Sequence, residues 1–135
     1  MDTKNFYRLD DGSGKYELWI WKGFDEQFEK VTKGDTKSRK KILTWIERLS
    51  HGIPTQPEKA KVLKGNACKG LSGPVMELKP KPYRVSFICL CNKYILVGTI
   101  WRKRANSRDS SEIDKACKLM KELVEMFLKE AGTCC

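Results

Sequence analysis

The spacing of apolar residues changes period several times along the chain, and each change marks an element. Asn5–Leu9 and Lys15–Trp21 flank the turn-rich stretch Asp10-Asp11-Gly12-Ser13-Gly14, which predicts an opening hairpin. From Phe24 the period is helical. Phe24, Phe28 and Val31 fall at i, i+4 and i+7, Glu26 and Lys30 pair on the outside, and this short helix ends near Gly34. Asp35 offers an N-cap to a second helix with the stripe Ile42, Trp45, Ile46 and Leu49, running to about Gly52. The two are expected to form a helical hairpin.

The segment Ile53–Gly73 carries Pro54, Pro57 and several lysines without sustained period, so it reads as a loop with one short ordered piece near Val62–Leu63. Three runs rich in Val, Ile, Tyr and Phe follow: Pro74–Lys79, Tyr83–Cys91 and Tyr94–Trp101. Their very short connections predict an antiparallel meander. A final helix opens at Asp109 or Ser110 with Glu112 placed as in a capping box, and ends at Gly132. Its stripe is Ile113, Ala116, Cys117, Met120, Leu123, Val124, Phe127 and Leu128. The expected class is α+β.

Alternation gives the faces of the meander. If Asn92-Lys93 is a two-residue turn, Phe87 pairs with Gly98 and Arg84 with Trp101; if Pro80-Lys81 turns the preceding hairpin, Glu77 lies opposite Arg84. Glu77, Lys79, Arg84, Ser86, Thr99 and Trp101 then share one face, which is apolar near the 92–93 turn through Ile88, Leu90, Ile95 and Val97. Met76, Leu78, Val85, Phe87, Cys89, Leu96 and Ile100 share the other, the expected core face. Cations gather at the open end of the first face, where Arg102, Lys103 and Arg104 leave the sheet. Such a row suits consecutive phosphates, with Trp101 or Tyr83 to stack on a base. The same row also fits ordinary surface charge, with Arg84 merely paired to Glu77.

At 135 residues, 40% hydrophobic and 33% charged, the chain suits one folded domain. Lysine and arginine outnumber the acids by 27 to 17, and the resulting charge of +10 favours a polyanionic partner. The first residues contain no apolar leader, and no stretch approaches the roughly 18 apolar residues of a spanning helix, so a cytoplasmic protein with no membrane role is expected. The six cysteines are accordingly expected to be reduced, with Cys134-Cys135 a loose terminal pair. Cys89-x-Cys91 lacks a second ligand pair, so no metal site is expected. His51 reads as a helix-end residue. The final helix alternates lysines with acids, which dilutes any membrane-binding face and leaves its stripe to the core.

Three segments together resemble a known family: Lys64 to Lys79, with Glu77-Leu78-Lys79 at its end; Pro82-Tyr83-Arg84-Val85; and Val97-Gly98-Thr99-Ile100-Trp101-Arg102-Lys103. With Glu112-Ile113 opening the last helix, they resemble the RelE/ParE superfamily of bacterial toxins, nearest the HigB-like or phage-associated branch. The resemblance runs in element order from about Lys15 to Leu128 and leaves residues 1–14 as an atypical N-terminal extension. It implies one RelE-like domain over residues 1–135: an antiparallel curved sheet, an N-terminal helical hairpin and a C-terminal helix. It also implies a toxin of a type II toxin–antitoxin system, cutting messenger RNA on the ribosome without metal or other cofactor, by attack of the RNA 2′-hydroxyl on the adjacent phosphate. Implied partners are a cognate antitoxin and the RNA, with a homodimer or toxin–antitoxin hetero-oligomer as the assembly.

By this resemblance Arg84 is the phosphate-contacting arginine, Lys103 the late basic residue, and Glu77 either a base or the group that holds Arg84. Lys79, Lys81, Tyr83, Trp101, Arg102 and Arg104 would bind substrate. Two departures stand out. The RelE branch has lysine where Glu77 stands, and it uses a tyrosine where this chain has Asn106-Ser107-Arg108-Asp109. The ParE branch keeps the fold but inhibits DNA gyrase by binding alone, which leaves a nonenzymatic inhibitor or a nucleic-acid-binding module as the alternative.

Overall fold

The computed structural model describes residues 3–104 and 109–133. Strands β1 (Phe6–Arg8) and β2 (Glu17–Trp21) are followed by helices α1 (Gly23–Val31) and α2 (Thr36–Arg48). Next come β3 (Ala60–Val62), a 3-10 turn at Asn66–Cys68, β4 (Val75–Leu78), β5 (Tyr83–Leu90), β6 (Tyr94–Arg102) and α3 (Ser110–Ala131). The strands form one six-stranded sheet in the order β1-β2-β6-β5-β4-β3. The class is α+β, as expected.

The sheet is mixed, not antiparallel throughout: β2 runs parallel to β6, from Glu17 beside Tyr94 to Ile20 beside Val97. Strand direction leaves no trace in hydrophobic alternation, so only the assembled sheet reveals it. The short ordered piece expected near Val62–Leu63 in the Lys- and Pro-rich segment is the edge strand β3, which pairs antiparallel with β4 and sets Lys61 against Glu77. The expected opening hairpin forms as β1 and β2, which pair antiparallel from Phe6 beside Trp21, and Phe6 is buried against the Phe127 ring at 5.3 Å.

The expected helical hairpin is not seen. Phe24 and Phe28 of α1 and Ile42 and Ile46 of α2 enter one apolar cluster with Leu18, Val85, Phe87 and Ile95 of the sheet. Both stripes are therefore spent on the sheet, and Arg39 joins the helices through polar contacts, bonding Thr32 and pairing with Glu29. On the opposite face α3 lays Cys117, Met120, Leu123 and Phe127 over Trp19, Ile88, Leu90, Leu96 and Trp101. The sheet is thus covered on both sides, which accounts for the almost unbroken apolar runs of β5 and β6. Among the described residues no helix is long and apolar enough to cross a membrane.

The β5–β6 register corrects the expected faces. Leu90 pairs with Tyr94, so the turn has three residues, two of them, Cys91 and Asn92, in the left-handed region. Phe87 then meets Val97 and not Gly98, and Ile95 and Val97 turn to the α1/α2 face while Leu96 turns to α3. A bulge between Val85 and Phe87 reverses this shift, so Arg84 still pairs with Trp101. Ser86 closes the bulge: its Oγ lies 2.8 Å from Thr99 Oγ1 and accepts the Thr99 N–H at 2.9 Å. Gly98 suits the place because a Cβ there would come within 3.0 Å of Met120 and 3.1 Å of Ser86. On β4 the partner of Glu77 is Ser86, two residues beyond the expected Arg84, which keeps Glu77 and Arg84 on one face.

Reduced thiols were expected, but Cys68 and Cys117 form a disulfide that ties the β3–β4 connection to α3, and Cys91 is disulfide-bonded as well. Cys89 is free. The expectation for Cys134-Cys135 lies outside the described residues.

The disulfide closes a long loop, its cysteines 49 positions apart, so Cys68→Ser/Cys117→Ser is expected to lower stability by about 2–4 kcal/mol in urea unfolding. A second measurement concerns the β1–β2 turn. The Asp10 carboxylate accepts from the Arg8 guanidinium and from the backbone N–H groups of Gly12 and Leu18. The Arg8 bond leads in holding its pKa down, to about 2. A depressed carboxyl stabilises the fold above its unfolded pKa and loses that contribution as pH falls through its folded one. Asp10→Asn is therefore expected to cost roughly 1–2 kcal/mol at pH 7, with the difference from wild type fading between about pH 4 and pH 2.

Candidate functional site

The ends of β5 and β6 nearest the β4–β5 turn carry the cations of the two strands. Tyr83 pairs with Arg102 and Arg84 with Trp101, and the Lys103 N–H donates to the Pro82 carbonyl at 2.9 Å, extending the ladder one step. This brings Lys81, Pro82, Arg84, Arg102, Lys103 and Arg104 around one cleft of about 470 Å³. Among the described residues of that lining, every side chain except Pro82 is cationic. Like charges held close raise the local potential and favour a multivalent anion.

Behind the cleft lies a buried charge pair. Glu77 is 3% exposed and Arg84 7%. Arg84 Nη1 donates to the Tyr83 carbonyl at 2.9 Å, whereas its Nε is 3.9 Å from Glu77 Oε1, beyond hydrogen-bonding reach. Arg84 Nε and Glu77 Oε2 have no hydrogen-bond partner, a costly state for buried charged groups. Lys61 reaches across from β3, its Nζ 3.7 Å from Glu77 Oε1. Burial raises the Glu77 pKa above the ordinary carboxylate value, against the pull of Lys61 and Arg84. Beside it, burial lowers the half-buried Lys79 ammonium, and neighbouring Lys61 adds to the effect.

The third part of the site is the start of α3. Asp109 occupies its N-cap position but makes no side-chain cap, so the expected capping box does not form. Its carboxylate is spent elsewhere: Oδ2 accepts from the Trp101 indole N–H at 2.8 Å, and Oδ1 lies 3.5 Å from Lys103 Nζ. Burial works to raise this carboxyl, but the Trp101 indole, the Asp109 backbone N–H and Lys103 together outweigh it and hold the pKa below the usual value.

The residues singled out in the sequence fall into three groups. Arg84, Lys81, Arg102, Lys103 and Arg104 converge on the cleft; Glu77 sits behind Arg84, with Lys79 beside it, and neither lines it. Tyr83 and Trp101 do not offer the open rings expected for base stacking. Trp101 is buried under α3, and Tyr83 is buried with its hydroxyl donating to Asp35 Oδ2 at 2.8 Å and the Arg102 guanidinium over its ring at 5.8 Å. Asp35 also accepts from Ser38 N–H as the α2 cap, so one carboxylate ties that helix to β5. His51 lies just beyond α2 beside a separate hollow with Trp45 and Ile53, away from the cleft. Sequence reasoning missed Lys61, because a three-residue edge strand among prolines and lysines carries no periodicity. It named Asp109 only as a cap. Asn106, Ser107 and Arg108, where the family resemblance places a tyrosine, lie outside the described residues.

No protein-family model matches the chain.

Chemically, the arrangement can hold phosphate oxygens and neutralise charge that develops on them. Arg84→Ala would leave the Glu77 carboxylate buried without its nearest guanidinium, at an expected cost of about 3 kcal/mol at neutral pH. A carboxyl whose folded pKa is raised favours the fold when protonated and weakens it as pH rises through that pKa. The Arg84→Ala defect should therefore be larger at pH 8 than at pH 5, and Arg84→Ala/Glu77→Gln should recover most of it. Urea unfolding at both pH values measures this; a pH-independent defect would contradict the account.

Proposed function

We propose that this protein is the toxin component of a type II toxin–antitoxin system of the RelE/ParE kind, and that its Arg84 cleft takes messenger RNA on the ribosome and promotes metal-independent cleavage. The observation that carries the reading is the convergence of Lys81, Arg84, Arg102, Lys103 and Arg104 on a single cleft. In the reaction the RNA 2′-hydroxyl attacks the adjacent phosphorus and the bond to the 5′-oxygen breaks, leaving a 2′,3′-cyclic phosphate and a 5′-hydroxyl. The protein positions the strand, and Arg84 and Lys103 stabilise the charge on the pentavalent phosphate. With no carboxylate among the described residues of the cleft lining, Glu77 acts by holding Arg84 from behind. An antitoxin would supply acidic groups to the same cleft and offset its charge.

The same lining supports a second reading, a nonenzymatic toxin that binds its target as ParE-type gyrase inhibitors do. Among the described residues that line the cleft, none is a carboxylate or an imidazole able to take the 2′-hydroxyl proton near neutral pH. A cytoplasmic site of action belongs to both readings, and the disulfides weigh against it, since the cytosol keeps most thiols reduced.

Inducible expression in a bacterium, with growth followed and 5′ ends of cellular messenger RNA mapped, separates the readings. Wild type is expected to arrest growth and create new 5′ ends, and Arg84→Ala/Glu77→Gln, the variant expected to keep its fold, to do neither. Arrest without new ends would favour the binding toxin. Growth unaffected by wild type would overturn both.

A further inference from the structure

Beside the Arg84 cleft a second groove, of about 660 Å³, runs between the β3–β4 connection and the start of α3. Lys61 and Lys64 line it, and Lys103 lines both it and the cleft, so the two hollows adjoin at that side chain. The wall that carries Lys61 and Lys64 is anchored. Leu63 is buried and donates its N–H to the Val75 carbonyl at 2.8 Å, and Cys68, farther along, is bonded to Cys117 of α3. Holding the wall in place lowers the entropy lost when its side chains engage a ligand.

The groove also contains acids, but these are already engaged. Asp109 is committed to Trp101 and Lys103, and Asp114 pairs with Lys118 at 2.9 Å. Lys61 has its Nζ near the buried Glu77, yet its side chain is 55% exposed, and Lys64 is exposed on the rim. These ammonium groups can meet an incoming anion without first being uncovered.

We infer that Lys61 and Lys64, with Lys103 at the junction, form a second phosphate-binding subsite, so that the protein engages a strand of RNA across cleft and groove and not a single phosphate. This rests on the cleft being an RNA site. The strand crosses from the β5–β6 ends to the β3–β4 wall, and its phosphates on the groove side fix where the scissile bond falls in the cleft.

Binding of fluorescein-labelled oligouridylates of 3 and 12 nucleotides to the disulfide-bonded protein, followed by anisotropy across a salt series, tests this. Lys61→Ala/Lys64→Ala is expected to weaken the 12-mer by roughly ten-fold and to reduce the slope of log affinity against log salt by about 1.4, the equivalent of two single-strand phosphate contacts. The 3-mer, held by the cleft alone, should change little, and Lys61→Arg/Lys64→Arg should retain 12-mer binding. Wild-type affinity and slope for the 12-mer in the alanine variant would overturn the subsite. Equal weakening of both lengths would also overturn it, by placing the lysines' effect in the cleft. Arg84→Ala/Glu77→Gln separates this inference from its premise. If that variant binds both lengths as wild type does, the cleft is not an RNA site and the premise itself fails; if wild type binds neither length, the protein has no strand-holding surface of its own and the subsite is overturned, while the ribosome-borne reading is judged by the growth and 5′-end experiment.

Discussion

Helices cover both faces of β5 and β6 and leave their ends as the place for charge, and this constraint shapes the molecule. Along β5 and β6 the residues between the ends are apolar or small, because α1 and α2 take one face and α3 the other. Arg84 comes at the second position of β5, and Arg102 at the last position of β6, with Lys103 and Arg104 just beyond. Cations excluded from both faces are thereby gathered where neighbouring strands emerge together. The cationic cleft follows from the packing of the rest.

Register decides which of those groups meet. The three-residue turn after Leu90 shifts β6 by one place, and the bulge sealed by Ser86 and Thr99 removes the shift before the open end is reached. Without the bulge Arg84 and Trp101 would not be opposite one another, and Trp101 would leave α3 and lose its bond to Asp109. That bond matters because Asp109 also faces Lys103, so a buried indole and an ammonium at the cleft share one carboxylate. The helix-start residue has given up capping for this purpose.

The Glu77–Arg84 pair illustrates how burial and function pull apart. A pair so enclosed, with Arg84 Nε and Glu77 Oε2 both unpartnered, is a poor source of stability. It does hold a guanidinium at the back of a cationic cleft, where repulsion from Lys81, Arg102 and Lys103 would otherwise push it outward. Lys61 adds a cation from the edge strand and connects this pair to the groove along the β3–β4 wall.

Much of this was legible in the chain itself. The apolar stripes of α1, α2 and α3, the strand runs of β4 to β6, the Gly132 helix end and the cations at the close of β6 all follow from local periodicity, because one side of each element must face away from water. Arg84 and Trp101 pair as alternation suggests, although two departures cancel to make it so. Strand direction in the β2–β6 pair, the pairing of β3 with β4 that sets Lys61 beside Glu77, the burial of Tyr83 and Trp101, and the Cys68–Cys117 bond came only with the tertiary structure. Each depends on which segments meet across long stretches of chain, and the period of a single segment carries no record of its neighbour.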